Sequence, residues 1–425
     1  MRVLVIGSGA REHALLWKLA QSRRVTRLWA APGNPGMAAL AECVPIGAHE
    51  LERLADFAER EAIDFTVVGP EAPLIAGLVD VFEARGLPIF GPRQAGALLE
   101  GSKAFAKELM EAAGIPTAQH RSFRDPAAAL AYLEEHGAPV VVKADGNAAG
   151  KGAIVALDLE TARRAVRQMM VERVFGSAGE VVVIEDYLQG DEIGSTALCN
   201  GTSFVPLVLT QDHKRALDND EGLNTGGMGA YAPLPFVSAE TERAVQERII
   251  AATLRALQER GIAFSGVLYS NIMLTERGPM VLEHNVRFGD PETQAMMLLL
   301  ESDVDLLTLL QEPQRLASVP LWRPGYAVSL TLASGGYPGS YRTGLPIQGL
   351  AEASRLEQVQ VFHAGTALRD GELVTAGGRV LSVAAYGATL AEALERAYEA
   401  ARLIHFEGMH YRRDIARRGL RALQS

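Results

Sequence analysis

The chain has 425 residues, of which 48% are hydrophobic and 22% charged, and its formal net charge is −10. That length exceeds what one hydrophobic core fills, so several domains are expected, and the acidic balance excludes a general nucleic-acid binder, because phosphate attraction needs a basic face. The two cysteines, Cys43 and Cys199, have no paired spacing, which excludes a disulfide framework or a cysteine zinc site and points to a reducing cytoplasm.

In chain order, residues 3–6 form a short apolar run that enters Gly7-Ser8-Gly9 and then a helical pattern over 12–20. The opening run lacks the layout of a signal peptide and reads as a buried strand. A second strand is predicted at 28–30. Leu51, Leu54, Ala55, Ala58 and Ala62 recur at helical spacing, and strands follow at 65–68, ending in Gly69-Pro70, and at 88–90, ending in Gly91-Pro92. Strands alternating with helices predict a parallel sheet covered on both faces, over residues 1–101.

Helices are predicted at 102–113 and 126–136, and strands at 140–143, 153–156 and 181–185, with a glycine-rich stretch at 145–152. From about Glu192 the strands read as antiparallel, with alternation over 267–274 and 280–285 across the turn Glu276-Arg277-Gly278. Short strands and two helical patterns from about 325 read as a separate C-terminal domain. The expected division is therefore 1–101, 102–324 and 325–425. The most apolar run, 296–310, is broken by Glu301, Asp303 and Asp305, so no membrane span is expected.

Gly7-Ser8-Gly9-Ala10-Arg11-Glu12 invites a dinucleotide reading, but Glu12 stands where the third glycine belongs, and the second strand ends in Ala31-Pro32-Gly33-Asn34 without a ribose-holding acid. A nicotinamide cofactor is therefore disfavoured. Two readings of the turn stay open: a helix N-terminus that receives a substrate phosphate, or a tight structural corner.

The strongest local signal is Lys143, closing an apolar strand, followed by Asp145-Gly146-Asn147-Ala148-Ala149-Gly150-Lys151-Gly152. Small residues let backbone amides approach polyphosphate oxygens while lysines neutralise them. The order is not that of a Walker A loop. Glu185-Asp186-Tyr187-Leu188 then reads as a strand opening into a hinge whose backbone can pair with a base edge, with Glu192 placed to accept from ribose hydroxyls. Glu283 and Asn285, two apart on a strand, share one face and suit Mg²⁺, while Arg287 continues that face. His213 has no visible acidic partner, so a structural or substrate-contact role is preferred for it, and the nine histidines show no zinc spacing.

Together, a lysine strand with a glycine loop, an acidic hinge and a distant Glu-x-Asn pair resemble the ATP-grasp superfamily. More narrowly, GSGAREHALLWKL at 7–19, APGNPG at 31–36, GPEAPL at 69–74, GSKAFAK at 101–107, QDHKR at 211–215 and NTGGMGAY at 224–231 resemble the glycinamide ribonucleotide synthetase family. NVRFGDPETQ at 285–294, VFHAGT at 361–366, GGRVL at 377–381 and YRRDI at 411–415 extend the resemblance to the far end.

The resemblance implies an α/β fold with an N-terminal parallel-sheet domain, an ATP-grasp domain with a mobile lid at about 122–190, and a small C-terminal α+β domain. It implies ligation of glycine to 5-phosphoribosylamine through a glycyl phosphate, with ATP and Mg²⁺ or Mn²⁺. By motif matching, Lys103, Lys143, Gly150, Lys151 and Gly152 meet nucleotide phosphates, Glu185 and Leu188 read adenine, and Glu192 meets ribose. Glu283 and Asn285 are the implied metal ligands and Arg287 and Asp290 the implied catalytic residues. Substrate contacts are implied for Gly9, Lys214, Gly226, Gly227, Met228, Asp290, Pro291 and Glu292. The implied partners are small molecules, without nucleic acid or membrane, for a monomer or small homo-oligomer in the cytoplasm.

Departures from the family pattern cluster in this region. Asn147 replaces a leucine, Ser270 an alanine, Asn271 a glycine, His284 a phenylalanine and Ala295 a proline; Ile193-Gly194-Ser195 stands for Ala-Ser-Phe. Two readings are open: drift with compensation, or a paralogous ligase with a different amino acid or amine. Asn271, expected beside Glu283, is a candidate oxygen donor to a second metal.

Overall fold

The computed structural model describes residues 1–146 and 152–424. Near the N-terminus, five parallel strands run in the order Glu42–Cys43, Arg27–Pro32, Arg2–Gly7, Phe65–Val68, Ile89–Phe90. The central strand is buried on both faces by alternation. Val3 and Val5 join a core with Leu15, Leu16 and Leu19 of the helix Ala10–Leu19, whereas Leu4 and Ile6 join a core with Leu54 and Phe57 of the helix Leu51–Arg60.

A second, four-stranded antiparallel sheet has the order His120–Phe123, Val182–Asp186, Val140–Ala144, Ala153–Ala156. Its buried Val140, Val142 and Ile184 pack with Leu133, Ala162 and Met169 into a core separate from the rest of the molecule. Helices Pro126–His136 and Leu159–Val166 supply that cover. The first is started by Asp125, which accepts the amides of Ala127 and Ala128, and by proline in its first turn, both favourable helix-start signals. With one face committed to this core, Val141 and Lys143 point the other way.

The third sheet, also antiparallel, runs Ser203–Pro206, Asp191–Asn200, Ser265–Thr275, Gly278–Asn285. Its last two strands form the predicted hairpin, with an irregularity between Asn271 and Ile272.

The fourth sheet runs Gln211–Asp212, Gly229–Ala232, Tyr326–Ala333, Arg379–Gly387, Val359–His363. It crosses the boundary expected near residue 325. All four residues of Gly229–Ala232 are buried, so both of its edges need ladder partners, and it finds one of them in Tyr326–Ala333. Alternation in the sequence identifies such a strand but not its neighbour. Between the sheets lies the helix Glu292–Leu299, every residue of which is buried. Among the described residues, no helix is long and apolar enough to cross a membrane.

Candidate active site

The second and third sheets face each other across a cleft. From one side come Val141, Val155 and the hinge residues Asp186, Tyr187 and Leu188; from the other come Met273, Leu282 and Glu283. The two apolar faces are spaced by a cleft whose floor carries Glu192, Lys214 and Asn271. A flat apolar base with polar edges fits such jaws. A second cavity adjoins it and shares Glu185, Asp212, Lys214 and Glu283 as common wall.

Lys143 lies where the sequence puts it, at the end of its strand, but its ammonium is already committed. It is 3.0 Å from Glu185 Oε2 and donates to the Leu282 carbonyl at 3.0 Å. Lys107 also reaches Glu185 Oε2, at 2.9 Å, and donates to Thr117. Glu185 is 2% exposed. Burial pushes its carboxyl up, but the two lysines outweigh that and hold it below the usual carboxylate range. The Glu185 side chain therefore fastens lysines from two elements, and only the hinge backbone beyond it faces the cleft. This corrects the expectation that its carboxylate reads adenine.

Lys103 begins the helix Lys103–Ala112, capped by Ser102, whose hydroxyl accepts the Phe105 amide. Asp145, at the root of the glycine loop, accepts the Ala104 amide at 2.7 Å and the Ser102 hydroxyl at 3.1 Å. The loop root is thus pinned to the turn that presents Lys103, which lines the adjoining cavity together with Gly152. Asn147, Gly150 and Lys151 lie outside the described residues.

Glu283 and Asn285 both line this cavity. Burial raises the Glu283 carboxyl, but Lys214, Lys143, Lys103 and Arg287 together bring it down to about 2, so it is ionised at neutral pH. Asn285 Oδ1 accepts from Arg287 at 3.2 Å. One ionised carboxylate and one amide oxygen on a single face fit a hard divalent cation that keeps waters and shares substrate phosphates. No group of three or more His, Cys, Asp or Glu ligands forms among the described residues, so an all-protein metal cage is not the design. Arg287 is itself held by Glu100 at 3.2 Å and Glu71 at 3.7 Å, both from elements N-terminal to Lys103. Lys214 bridges Glu192 at 2.5 Å and Glu283 at 3.9 Å.

On the far side of the cavity the glycine turn has a different use from the one expected. The Gly9 amide donates to Glu12 Oε2 at 2.7 Å, and Glu12 is 2% exposed and paired with Arg11. A Cβ on Gly7 would sit 2.5 Å from Glu12 Cγ, and one on Gly69 2.1 Å from Glu12 Oε1. These glycines make room for the chain's own carboxylate, which takes the helix-end amide first offered to a phosphate. The structural corner is the reading this geometry favours at Gly9, although the turn still borders a shallow cleft with Thr331, Gly365 and Arg379.

Asp290 lines the cavity with both oxygens engaged, one accepting from Gln294 at 2.7 Å and the other 3.2 Å from Arg379. Arg379 also donates to the carbonyls of Gly226 and Asp290. Gly226 borders the cavity. Gly227 has φ 115°, and a Cβ there would fall 2.4 Å from Pro291 Cδ. Met228 is fully buried, so its side chain does not face the cavity as expected of a substrate contact. His213 uses both ring nitrogens, toward the Gly229 carbonyl and the Ala416 amide, and burial brings it down to about 4.

The unusual residues separate by face. Ser270 stands opposite His284 in the register and bonds its Nδ1 at 2.9 Å, while Thr253 approaches Nε2 at 3.3 Å. Asn271 stands opposite Glu283, yet its amide donates to Glu192 Oε1 at 2.7 Å, so the side chain is turned toward the ribose-side carboxylate. Sequence reasoning left Glu71, Glu100, Lys107, Asp212, Tyr269 and Arg379 without a role. All but Glu100 and Tyr269 lie inside the motifs already singled out, which was the available signal; their partners come from distant segments.

Lid strands closing on an antiparallel sheet, with paired lysines, a hinge and a Glu-x-Asn face, define the ATP-grasp architecture. The same fold is found in biotin carboxylase of Campylobacter jejuni, with TM-score 0.74 at 13% identity, over 96% of this chain and 92% of that one. Family models for phosphoribosylglycinamide synthetase match residues 1–100 (N domain), 101–293 (ATP-grasp domain) and 327–418 (C domain), and the chain belongs to that family. It is 50% identical over 424 residues to phosphoribosylamine–glycine ligase of Pseudomonas aeruginosa, covering 99% of this chain and 98% of that one. It is equally 50% identical to the Rhizobium meliloti ligase of that name, covering 99% of both. The crystal structure of phosphoribosylamine–glycine ligase from Thermotoga maritima superposes with TM-score 0.84 at 34% identity, over 98% of this chain and 100% of that one.

Proposed function

We propose that this protein joins glycine to 5-phosphoribosylamine at the expense of ATP, giving glycinamide ribonucleotide, ADP and phosphate, a step of purine biosynthesis. The observation that carries this reading is the full-length likeness to ligases of that name, at 50% identity, together with a cavity that supplies each part the reaction needs.

In this reading the γ-phosphoryl group of ATP passes to a carboxylate oxygen of glycine. The amine nitrogen of phosphoribosylamine then attacks the glycyl carbonyl carbon, the bond to phosphate breaks, and the nitrogen gives up a proton. Such transfers are governed by positioning and charge neutralisation rather than by a covalent residue. The apolar jaws and hinge backbone at Leu188 hold the base, and Glu192 meets the ribose. Lys103, which has no ion-pair partner among the described residues, is free to meet phosphate charge. Glu283 and Asn285 would hold Mg²⁺, or Mn²⁺ in its place, which supplies charge neutralisation at the transferring phosphate. Lys143 and Lys107, fixed by Glu185, add positive field, and Arg287 keeps the Asn285 oxygen aimed. In a cavity shielded from water each of these charges acts strongly and the acyl phosphate is protected.

Residues 102–324 are proposed as the nucleotide-binding unit, with a lid at about 122–190; the protein acts as a monomer or small homo-oligomer in the cytoplasm. The substitutions that raised a different substrate have local partners: Ser270 with His284, and Asn271 with Glu192. That supports drift with compensation. Purified protein, Mg-ATP, freshly generated phosphoribosylamine and single amino acids test the reading. Glycine-dependent ADP release with the mass of glycinamide ribonucleotide is expected; ADP release only with another amino acid overturns the substrate.

A further inference from the structure

The charged groups around the central cavity are nearly all matched. Arg11 pairs with Glu12, Lys107 with Glu185, Lys214 with Glu192 and Glu283, Arg287 with Glu71 and Glu100, and Arg379 with Asp290. Three ionisable groups lining it have no ion-pair partner among the described residues: Lys103, Asp212 and Glu292. Lys103 lies on the phosphate side. Asp212 and Glu292 are two like charges close enough to disturb each other.

Both carboxylates are fixed in place. Glu292, 3% exposed, accepts the Tyr269 hydroxyl at 2.6 Å, and a Cβ on Gly289 would fall 2.6 Å from its Oε2. Asp212 Oδ1 accepts the His213 amide at 2.7 Å, and a Cβ on Gly227 would fall 2.8 Å from that oxygen. Burial and the charge of Glu292 push the Asp212 carboxyl well above the usual range. The nearby cations do not relieve the strain, since Lys214 and Arg379 are already bound to other carboxylates. Two buried carboxylates left together are costly unless a cation or proton joins them.

We propose that Asp212 and Glu292 together seat the α-ammonium group of the amino acid substrate. The inference rests on the amino-acid ligase reading above and assigns it a recognition element. An ammonium has three donors in a compact charge, which suits two converging carboxylates. The location fits: Tyr269, which holds Glu292, stands opposite Asn285 in the strand register, so the seat adjoins the face that carries Glu283 and Asn285. An amino acid bound by its ammonium at Asp212 and Glu292 directs its carboxylate toward that face. Held as an ammonium, the amino acid's own nitrogen has no lone pair, so it cannot attack a neighbouring acyl phosphate in place of the intended amine.

The test compares glycine with glycolate, which keeps the carboxylate and replaces the ammonium by a hydroxyl, in the full chain with Mg-ATP and phosphoribosylamine. Losing one partner of a buried charged contact corresponds to about 100-fold in affinity. Asp212→Asn and Glu292→Gln are therefore expected to raise the glycine KM about 100-fold and leave the ATP KM within about twofold. They are also expected to shrink the glycine-to-glycolate ratio of kcat/KM at least tenfold. An unchanged ratio, or a fall in kcat at unaltered glycine KM, overturns the seat. For a variant that does not fold, the wild-type protein decides: a glycolate inhibition constant about 100-fold above the glycine KM is expected, and parity overturns the proposal. If the wild type uses another amino acid, the glycine reading falls alone, and the same ratio for that acid and its hydroxy counterpart judges the seat.

Discussion

The hairpin formed by Ser265–Thr275 and Gly278–Asn285 has two faces with opposite chemistry. Its front carries Glu283 and Asn285 into a cavity crowded with ions, where Glu283 falls to about 2. Its back carries Ser270 and His284 into a core beside Thr253, where burial, with a smaller push from Lys107, brings His284 down to about 3 and leaves it neutral. Neighbouring residues that look equally polar in the sequence thus do unlike things. The front keeps charge for a ligand, whereas the back hides polarity by internal pairing. An unusual residue beside a metal face is informative about substrate only if its side chain emerges on that face.

The sharpest way to break this contrast is on the front. Glu283→Gln and Asn285→Ala are expected to lower glycine-dependent ADP release by about 1,000-fold, the scale of losing a group that stabilises transition-state charge, with little change in the thermal midpoint. Loss of stability with preserved turnover would reverse the assignment of faces.

On the back the order reverses. His284→Ala leaves the Ser270 and Thr253 hydroxyls without their ring partner and opens a cavity, so about 3 kcal/mol of stability should be lost in denaturant unfolding, with kcat changed less than about threefold. Replacing both residues together, Ser270→Ala with His284→Phe, is expected to recover most of it, with a coupling energy of about 1–2 kcal/mol in the double-mutant cycle. Strict additivity would deny the pairing.

Acid sharpens the same point. His13 and His284 lie at about 3 and His213 and His363 at about 4, each driven down first by burial. The unfolded chain takes up these protons below about 6.5 while the folded one does not. Their contribution is therefore complete above pH 6.5 and is lost as pH falls toward 4. The double replacement removes one of the four, so its stability-versus-pH curve should be shallower by up to about 1.4 kcal/mol per pH unit. The smallest effect is expected at Asn271: Asn271→Gly frees Glu192 from one donor and should raise the ATP KM a few-fold, leaving the Mg²⁺ dependence unaltered. A shifted Mg²⁺ dependence would restore the second-metal role.

Much of the scaffold was legible because it is local. The strands Phe65–Val68 and Ala153–Ala156 and the helix Pro126–His136 fall where apolar runs, glycine stops and an Asp-Pro start place them. Lys103, Lys143, Glu283 and Asn285 are brought to one cleft, as the motifs implied. The remainder was hidden because it depends on partners far apart in the chain. Nothing in the alternation near Lys107 says that it meets Glu185, or that Arg287 is gripped by Glu71 and Glu100. The Gly7-Ser8-Gly9 turn misled for a similar reason: glycine signals close approach, but only the folded chain reveals that what approaches is Glu12.

The sheet that joins Gly229–Ala232 to Tyr326–Ala333 has a consequence for synthesis. On the ribosome, the segment that presents Asp212 and Lys214 emerges well before the strand it needs as a neighbour. Its fully buried strand must wait, exposed, while the whole nucleotide-side hairpin is made. The cavity is thus assembled late, by a segment from near the end of the chain, and a nascent chain stalled before residue 326 has lysines and hinge but no completed floor beneath them.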